Sequence, residues 1–219
     1  MRALVLDFGG VIARTMFETH PLTEAALGLP AGTLTWRGPF DPQRDPLWQD
    51  VLADRMSESD YWWYRTQEVA QLVGADWTEM SDFVRAARGA APDAVIRPEA
   101  VEAIARARAA GYRLAVVSNE LDLFYGAEFG ERLAVLEDFD VVVDATHTGI
   151  LKPDPQAYAL CCAALGVDAG DCVFVDDQPR NLRGAEAVGM TAVAFDVRAP
   201  RASFNAALRA LGLPEGESA

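Results

Sequence analysis

Apolar and polar positions follow two rhythms along this chain. Ala3–Leu6 is an unbroken apolar run, as expected of a strand buried on both faces of a parallel sheet. It stops at Asp7, and Gly9 and Gly10 then allow a sharp turn and close approach of a ligand to the backbone. From about Arg14 to about Pro92 the sequence offers no strong strand. Helices are expected around Leu22–Leu27, Pro46–Arg55, Glu58–Val73 and Thr78–Arg88, with Ser57 as N-cap and Gly74 as stop for the third. Gly28–Arg44, rich in Gly, Pro and Thr, reads as a long loop, and Gly89–Pro98 as a return linker.

From Pro98 the rhythm alternates. A helix over Pro98–Ala110, with Val101, Ile104, Ala105 and Ala109 on one face, precedes a strand over Leu114–Val117. A helix around Leu123–Leu136 leads to a strand at Val141–Val143. Asp154 caps a further helix with Pro155 as its first residue. Strand Cys172–Val175, helix Pro179–Val188, strand Thr191–Phe195 and helix Ala202–Leu211 complete the series. Alternating strands and helices predict an α/β fold, a doubly wound parallel sheet of the Rossmann-like kind. The expected division is a core of residues 1–13 and 93–219 with an inserted helical cap over 14–92.

Composition narrows the function classes. A hydrophobic fraction of 51% and a mean hydropathy of +0.04 are ordinary for a globular chain, and no apolar run reaches membrane-spanning length. The first residues enter a strand without a leader-like pattern, so the expected compartment is the cytoplasm. A formal net charge of −14 argues against nucleic acid as partner. Cys161, Cys162 and Cys172 fit neither a zinc spacing nor a disulfide framework, and are expected to be small core side chains.

Three of the expected strands end in polar residues: Asp7, then Ser118-Asn119, then Asp176-Asp177, while Lys152 precedes a helix start. In an open α/β sheet these positions share the carboxyl edge, where ligands bind. The motifs LVLDFGGV, VVSN, GILKPDPQAY and FVDDQPRN, in this order, resemble those of the haloacid dehalogenase-like hydrolases, in the branch with a helical cap after the first strand. The resemblance covers the core and implies that Asp7 attacks phosphorus to form an aspartyl-phosphate. It further implies Mg²⁺ held by Asp7, the carbonyl of Gly9 and Asp177, with Asp176 a ligand or its supporting partner. Lys152 would balance charge at Asp7 and on the phosphoryl oxygens. Ser118, with Gly10 and the backbone around Asn119, would hold the transferring group, and Asn181 would orient the acidic loop. The substrate class implied is a small phosphorylated metabolite.

One position departs from the pattern. Phosphatases of this family usually carry a second aspartate two residues after the nucleophile, as acid and base for the leaving group; here that residue is Gly9. Esters with good leaving groups, an acid recruited from the cap, or a catalytically weak binding relative would each accommodate this. So would a metal-independent 2-haloacid dehalogenase, which lacks the second aspartate, although such enzymes typically also lack paired acids like Asp176-Asp177. His20, early in the cap, is a candidate for the missing acid, set against a hydrogen-bonded structural role. His147 is expected to be structural, Arg14 a hinge or anion contact, and the tryptophans mostly the cap's own core.

Overall fold

In the computed structural model, residues 2–88, 91–119, 121–125 and 133–214 are described. Five parallel strands, β1 (Ala3–Leu6), β2 (Arg113–Ser118), β3 (Val141–Asp144), β4 (Cys172–Asp176) and β5 (Thr191–Ala194), form one sheet in the order β3-β2-β1-β4-β5. The register sets Leu6 beside Val116 on one side and Val175 on the other, so β2 and β4 run two residues and one residue past the end of β1 at the same sheet edge. All four residues of β1 are fully buried, as its central place requires.

Alternation along the strands divides the apolar side chains between two layers. Leu4, Leu6, Leu114, Val116, Val173 and Val175 face helices α5 (Pro98–Ala109) and α10 (Pro200–Ala210). Ala3, Val5, Ala115, Val117 and Phe174 pack with Tyr158, Cys161 and Leu165 of α8 (Pro155–Leu165) and Ala185 of α9 (Pro179–Ala187). Cys161 and Cys172 are buried, Cys162 is half-buried, and all three thiols are free.

Between β1 and α5 lie α1 (His20–Ala26), α2 (Pro46–Leu52), α3 (Glu58–Val73) and α4 (Met80–Arg88). Ser57 caps α3 by accepting from the Asp60 amide at 3.0 Å, and Gly74 ends it in the left-handed conformation. Trp36, Trp48 and Trp62 join Phe17, Tyr61 and Phe83 in a third apolar cluster, distinct from the two sheet layers. Asp45, fully buried, ties this cluster together: it caps α2 through the Trp48 amide and accepts from Tyr61 and Arg65, both at 2.7 Å.

Two details differ from the sequence reading. The buried face of α5 is Ala100, Ala103, Ile104 and Ala107, and Val101 is exposed; α5 approaches the sheet closely enough for alanines to fill the interface. The helix expected over Leu123–Leu136 is not continuous to its end. α6 covers Leu121–Tyr125, positions 126–132 lie outside the described residues, Leu133 is extended, and Ala134–Asp138 is a 3₁₀ turn. A short helical turn, α7 (Ala145–Thr148), follows β3. Among the described residues no helix is long and apolar enough to cross a membrane.

Candidate active site

The carboxyl ends of β1, β2 and β4 deliver their polar residues to one edge of the sheet. Asp7 follows β1, with its amide donating to the Val175 carbonyl at 2.9 Å. Lys152, in the loop before α8, places Nζ 2.8 Å from Asp7 Oδ1 and 2.8 Å from Asp176 Oδ2. All three residues are buried, with Asp176 at 0% exposure. Asp7, Asp176 and Asp177 each bring a carboxylate oxygen within 4.8 Å of the others.

The two acids of the β4 edge are placed differently. Both Asp176 oxygens accept from the Asn181 amide at 3.1 Å, while Oδ1 also accepts from the Gln178 amide and Oδ2 from Lys152. That carboxylate is saturated and anchors the lysine. Asp177 lines the cavity, where it meets Gly10: a Cβ on Gly10 would lie 2.6 Å from Asp177 Oδ2, and Gly10 has φ +84°. Glycine is required there on both counts. At Gly9 nothing lies within 4 Å of a Cβ, and the backbone is not in the left-handed region, so the exposed Gly9 has open space above it.

Ser118 closes β2, buried at the cavity wall. The Asn119 side chain is spent on the Lys152 backbone, donating to its carbonyl at 3.0 Å and accepting from its amide at 2.7 Å. Asn119 thus fixes the lysine loop, and only its main chain is left to face a ligand.

The electrostatics report an excess of negative charge. Burial, offset only in part by Lys152 and reinforced by Asp176, pushes the Asp7 carboxyl up to about 7. Desolvation together with the Asp7, Asp176 and Glu58 carboxylates raises Asp177 well above the usual carboxylate range. Desolvation alone would lower Lys152, but Asp7 and Asp176 outweigh it and hold the ammonium charged. Three hard carboxylates with one lysine make a donor set that fits an oxygen-loving divalent cation.

A cavity of about 810 Å³ opens over these groups. Its far wall comes from the helical segment: Trp48 of α2, Glu58 and Trp62 of α3, Arg88 of α4, and Arg14 and Phe17 before α1. His20 does not line it. It is buried against Trp36, ring centroids 4.2 Å apart, and neither ring nitrogen finds a hydrogen-bond partner among the described residues. His147 is exposed and pairs with Asp122 at 2.5 Å, also away from the cavity. Glu58, Arg88 and Tyr125 were not singled out from sequence. Their residue types are common on helix surfaces, and only the packing of α3, α4 and α6 turns them to the cavity.

Comparison with known proteins bears on what this arrangement does. A family profile described as haloacid dehalogenase-like hydrolase matches residues 1–189. Over 100 residues the chain is 37% identical to phosphatase MT3486 of Mycobacterium tuberculosis, covering 45% of this chain and 46% of that protein. Over 97 residues it is 32% identical to (S)-2-haloacid dehalogenase 4A of Burkholderia cepacia, covering 44% of this chain and 41% of the dehalogenase. The matches thus span less than half the length of either relative. Among solved structures, a HAD phosphatase from Thermococcus onnurineus superposes with a TM-score of 0.56 at 22% identity, over 90% of this chain and 86% of that one, a likeness of fold.

Proposed function

Because the chain belongs to the haloacid dehalogenase-like hydrolases and is itself a hydrolase, we propose that it is a Mg²⁺-dependent phosphatase of a small phosphorylated metabolite, acting through an aspartyl-phosphate. The observation that carries this reading is the cluster of Asp7, Asp176 and Asp177, the first two of which share the ammonium of Lys152. A 2-haloacid is itself an anion, and its reacting carbon would have to approach three clustered acids of which the Lys152 ammonium contacts two. For a phosphate ester the same cluster is the reason to recruit a divalent cation.

In this reading Asp7 Oδ2 attacks phosphorus, since Oδ1 is engaged by Lys152. The phosphoryl group is transferred to the carboxylate and the leaving oxygen departs with the bond pair. Water then cleaves the acyl phosphate, restoring Asp7 and releasing inorganic phosphate. Lys152 holds Asp7 in place and shares the charge of the transferring oxygens; Asp176, locked by Asn181 and the Gln178 amide, holds Lys152. Ser118 and the main chain at Asn119 donate to the equatorial oxygens. Asp7, Asp177 and the Gly9 carbonyl would hold Mg²⁺, with Asp176 behind them; when bound, the ion neutralises phosphoryl charge that the lysine alone does not. The α1–α4 segment serves as the cap that closes the cavity and excludes water.

Gly9 supplies no acid, so the leaving oxygen departs unprotonated or takes its proton from water or from the cap. The same feature favours a second reading, a metal-independent 2-haloacid dehalogenase in which Asp7 displaces halide from carbon. The test is turnover of an activated aryl phosphate and of 2-chloropropionate, each with Mg²⁺ and with a chelator. The phosphatase hydrolyses only the phosphate, and only with metal, and its Asp7→Asn variant falls to background while keeping its circular dichroism. Halide release undiminished by the chelator overturns the reading.

A further inference from the structure

Three arginines are buried almost completely: Arg65 at 9% exposure, Arg88 at 6% and Arg97 at 2%. A buried guanidinium is costly unless an anion accompanies it. Arg65 has Asp45 and Glu68, both at 2.7 Å. Arg97 has Glu18 at 2.6 Å. Arg88 has no carboxylate within ion-pair distance among the described residues, in a chain with 33 acidic and 19 basic residues. Among the described residues its donors reach neutral oxygens, the Tyr125 hydroxyl at 2.5 Å and the Arg14 carbonyl at 3.2 Å, and Nε has no partner there. Neutral acceptors satisfy hydrogen bonds but leave the charge uncompensated.

The position of Arg88 is as specific as its charge. It lines the cavity at the end of α4, and its guanidinium lies over the Tyr125 ring, 5.4 Å from the centroid. Tyr125 in turn packs edge-on against Phe8, centroids 5.4 Å apart, and Phe8 is the residue after Asp7. A rigid aromatic pair therefore links the unpaired cation to the acidic centre. Arg14, whose carbonyl helps hold Arg88, lines the same wall; its guanidinium donates to the Ala94 carbonyl, while its Nε is buried without a partner among the described residues.

We infer that Arg88 is the counter-ion for a second anionic group on the substrate, a carboxylate carried by the leaving portion, while the phosphoryl group sits at Asp7. The choice of a carboxylate follows the chain's own usage, since it neutralises its other buried arginines with carboxylates, and a planar guanidinium matches that group. The preferred substrate class is then a phosphorylated carboxylic acid rather than a neutral phosphate ester. This inference rests on the phosphatase reading for the placement of phosphorus.

The test compares near-isosteric pairs, carboxyphenyl phosphate and carbamoylphenyl phosphate, as 3- and 4-substituted isomers that cover two reaches. With Mg²⁺ the parent should prefer the carboxylate by at least about tenfold in kcat/KM for one isomer, as expected of a charge-assisted contact. Arg88→Gln should collapse that ratio towards one, and Arg88→Lys should retain part of it. A purely structural arginine would lower both rates together and leave the ratio intact, which overturns the proposal, as does a parent without preference. Binding of the matching phosphonates by calorimetry separates the two readings. If neither ester turns over, a tenfold tighter carboxyphenylphosphonate whose advantage disappears in Arg88→Gln sustains the anion site and removes the phosphatase. Turnover of both esters without preference does the reverse.

Discussion

Lys152 Nζ stands 2.8 Å from Oδ1 of Asp7 while the same nitrogen holds Asp176 at 2.8 Å, so one ammonium ties the carboxyl end of β1 to that of β4. Removing it leaves two buried carboxylates facing each other. Lys152→Met should lose at least about 10²–10³-fold in turnover. It should also lose about 3–5 kcal/mol of stability at pH 8, the usual cost of breaking a buried pair. The loss should shrink at pH 5, because a proton on Asp7, whose carboxyl burial pushes up to about 7, relieves the repulsion; thermal melts at the two pH values check this. Equal destabilisation at both would mean that the lysine acts by packing alone.

Gly9 offers the opposite experiment. Nothing within 4 Å would meet a Cβ there, and its φ lies outside the left-handed region, so aspartate fits without strain. Gly9→Asp should fold like the parent and raise turnover of alkyl phosphates by about 10²-fold, at the low end of general acid catalysis, with a smaller gain on aryl phosphates. In the parent, rates across a series of esters should fall steeply as the leaving group becomes more basic. A flat series would show that the acid already comes from another group.

At Gly10 the geometry forbids what Gly9 permits. Gly10→Ala must hold a side chain at φ +84° and place its Cβ 2.6 Å from Asp177 Oδ2. The backbone penalty is about 1–3 kcal/mol, and the displaced carboxylate should raise the half-saturating Mg²⁺ concentration by roughly an order of magnitude, two effects of losing one close approach. Calorimetric metal titration alongside a melt separates them. Metal affinity equal to the parent's would remove Asp177 from the ligand set.

His20 makes a prediction about pH. Burial, with Arg37 nearby and Glu24 opposing, lowers its imidazole from 6.5 to about 4. The folded protein thus resists a proton that the unfolded chain accepts. The stability contributed by keeping this ring neutral is full above about pH 6.5 and is lost as pH falls towards 4. By pH 5 the loss approaches about 2 kcal/mol, and His20→Phe, which has nothing to titrate, should show a correspondingly flatter melt profile between pH 7.5 and 5. Parallel profiles would place the proton elsewhere.

The core of this fold is written plainly in the sequence because parallel strands buried on both faces must be continuous apolar runs, and Ala3–Leu6, Leu114–Val117 and Cys172–Val175 each stand out. The strand-end residues follow from topology once those runs are found. Helical spacing alone sets Val101, Ala105 and Ala109 beside Ile104, yet the face of α5 on the sheet is Ala100, Ala103, Ile104 and Ala107, because the rotation of a helix about its axis is fixed by tertiary packing. Asp176 and Asp177 are neighbours of identical type. The motif points to Asn181 as the residue that orients this loop, but nothing local reveals that Asn181 and Lys152 both bind the first acid while the second faces the cavity beside Gly10. Arg88 was least legible. Its significance is that no carboxylate pairs with it among the described residues, which only the folded packing reveals.

The strand order β3-β2-β1-β4-β5 also has a consequence for how the protein is born. Asp7 leaves the ribosome well ahead of Lys152 and Asp176, which lie far along the chain from it. β1 can pair with β2 while synthesis continues, but its other edge waits for β4, and that late, long-range pairing is the slow kind. Until it forms, the nascent chain carries an aspartate at the end of β1 without the lysine that steadies it. On the proposed mechanism, a truncated or half-folded product therefore lacks the charge balance at Asp7 that pairing of β1 with β4 and the arrival of Lys152 provide.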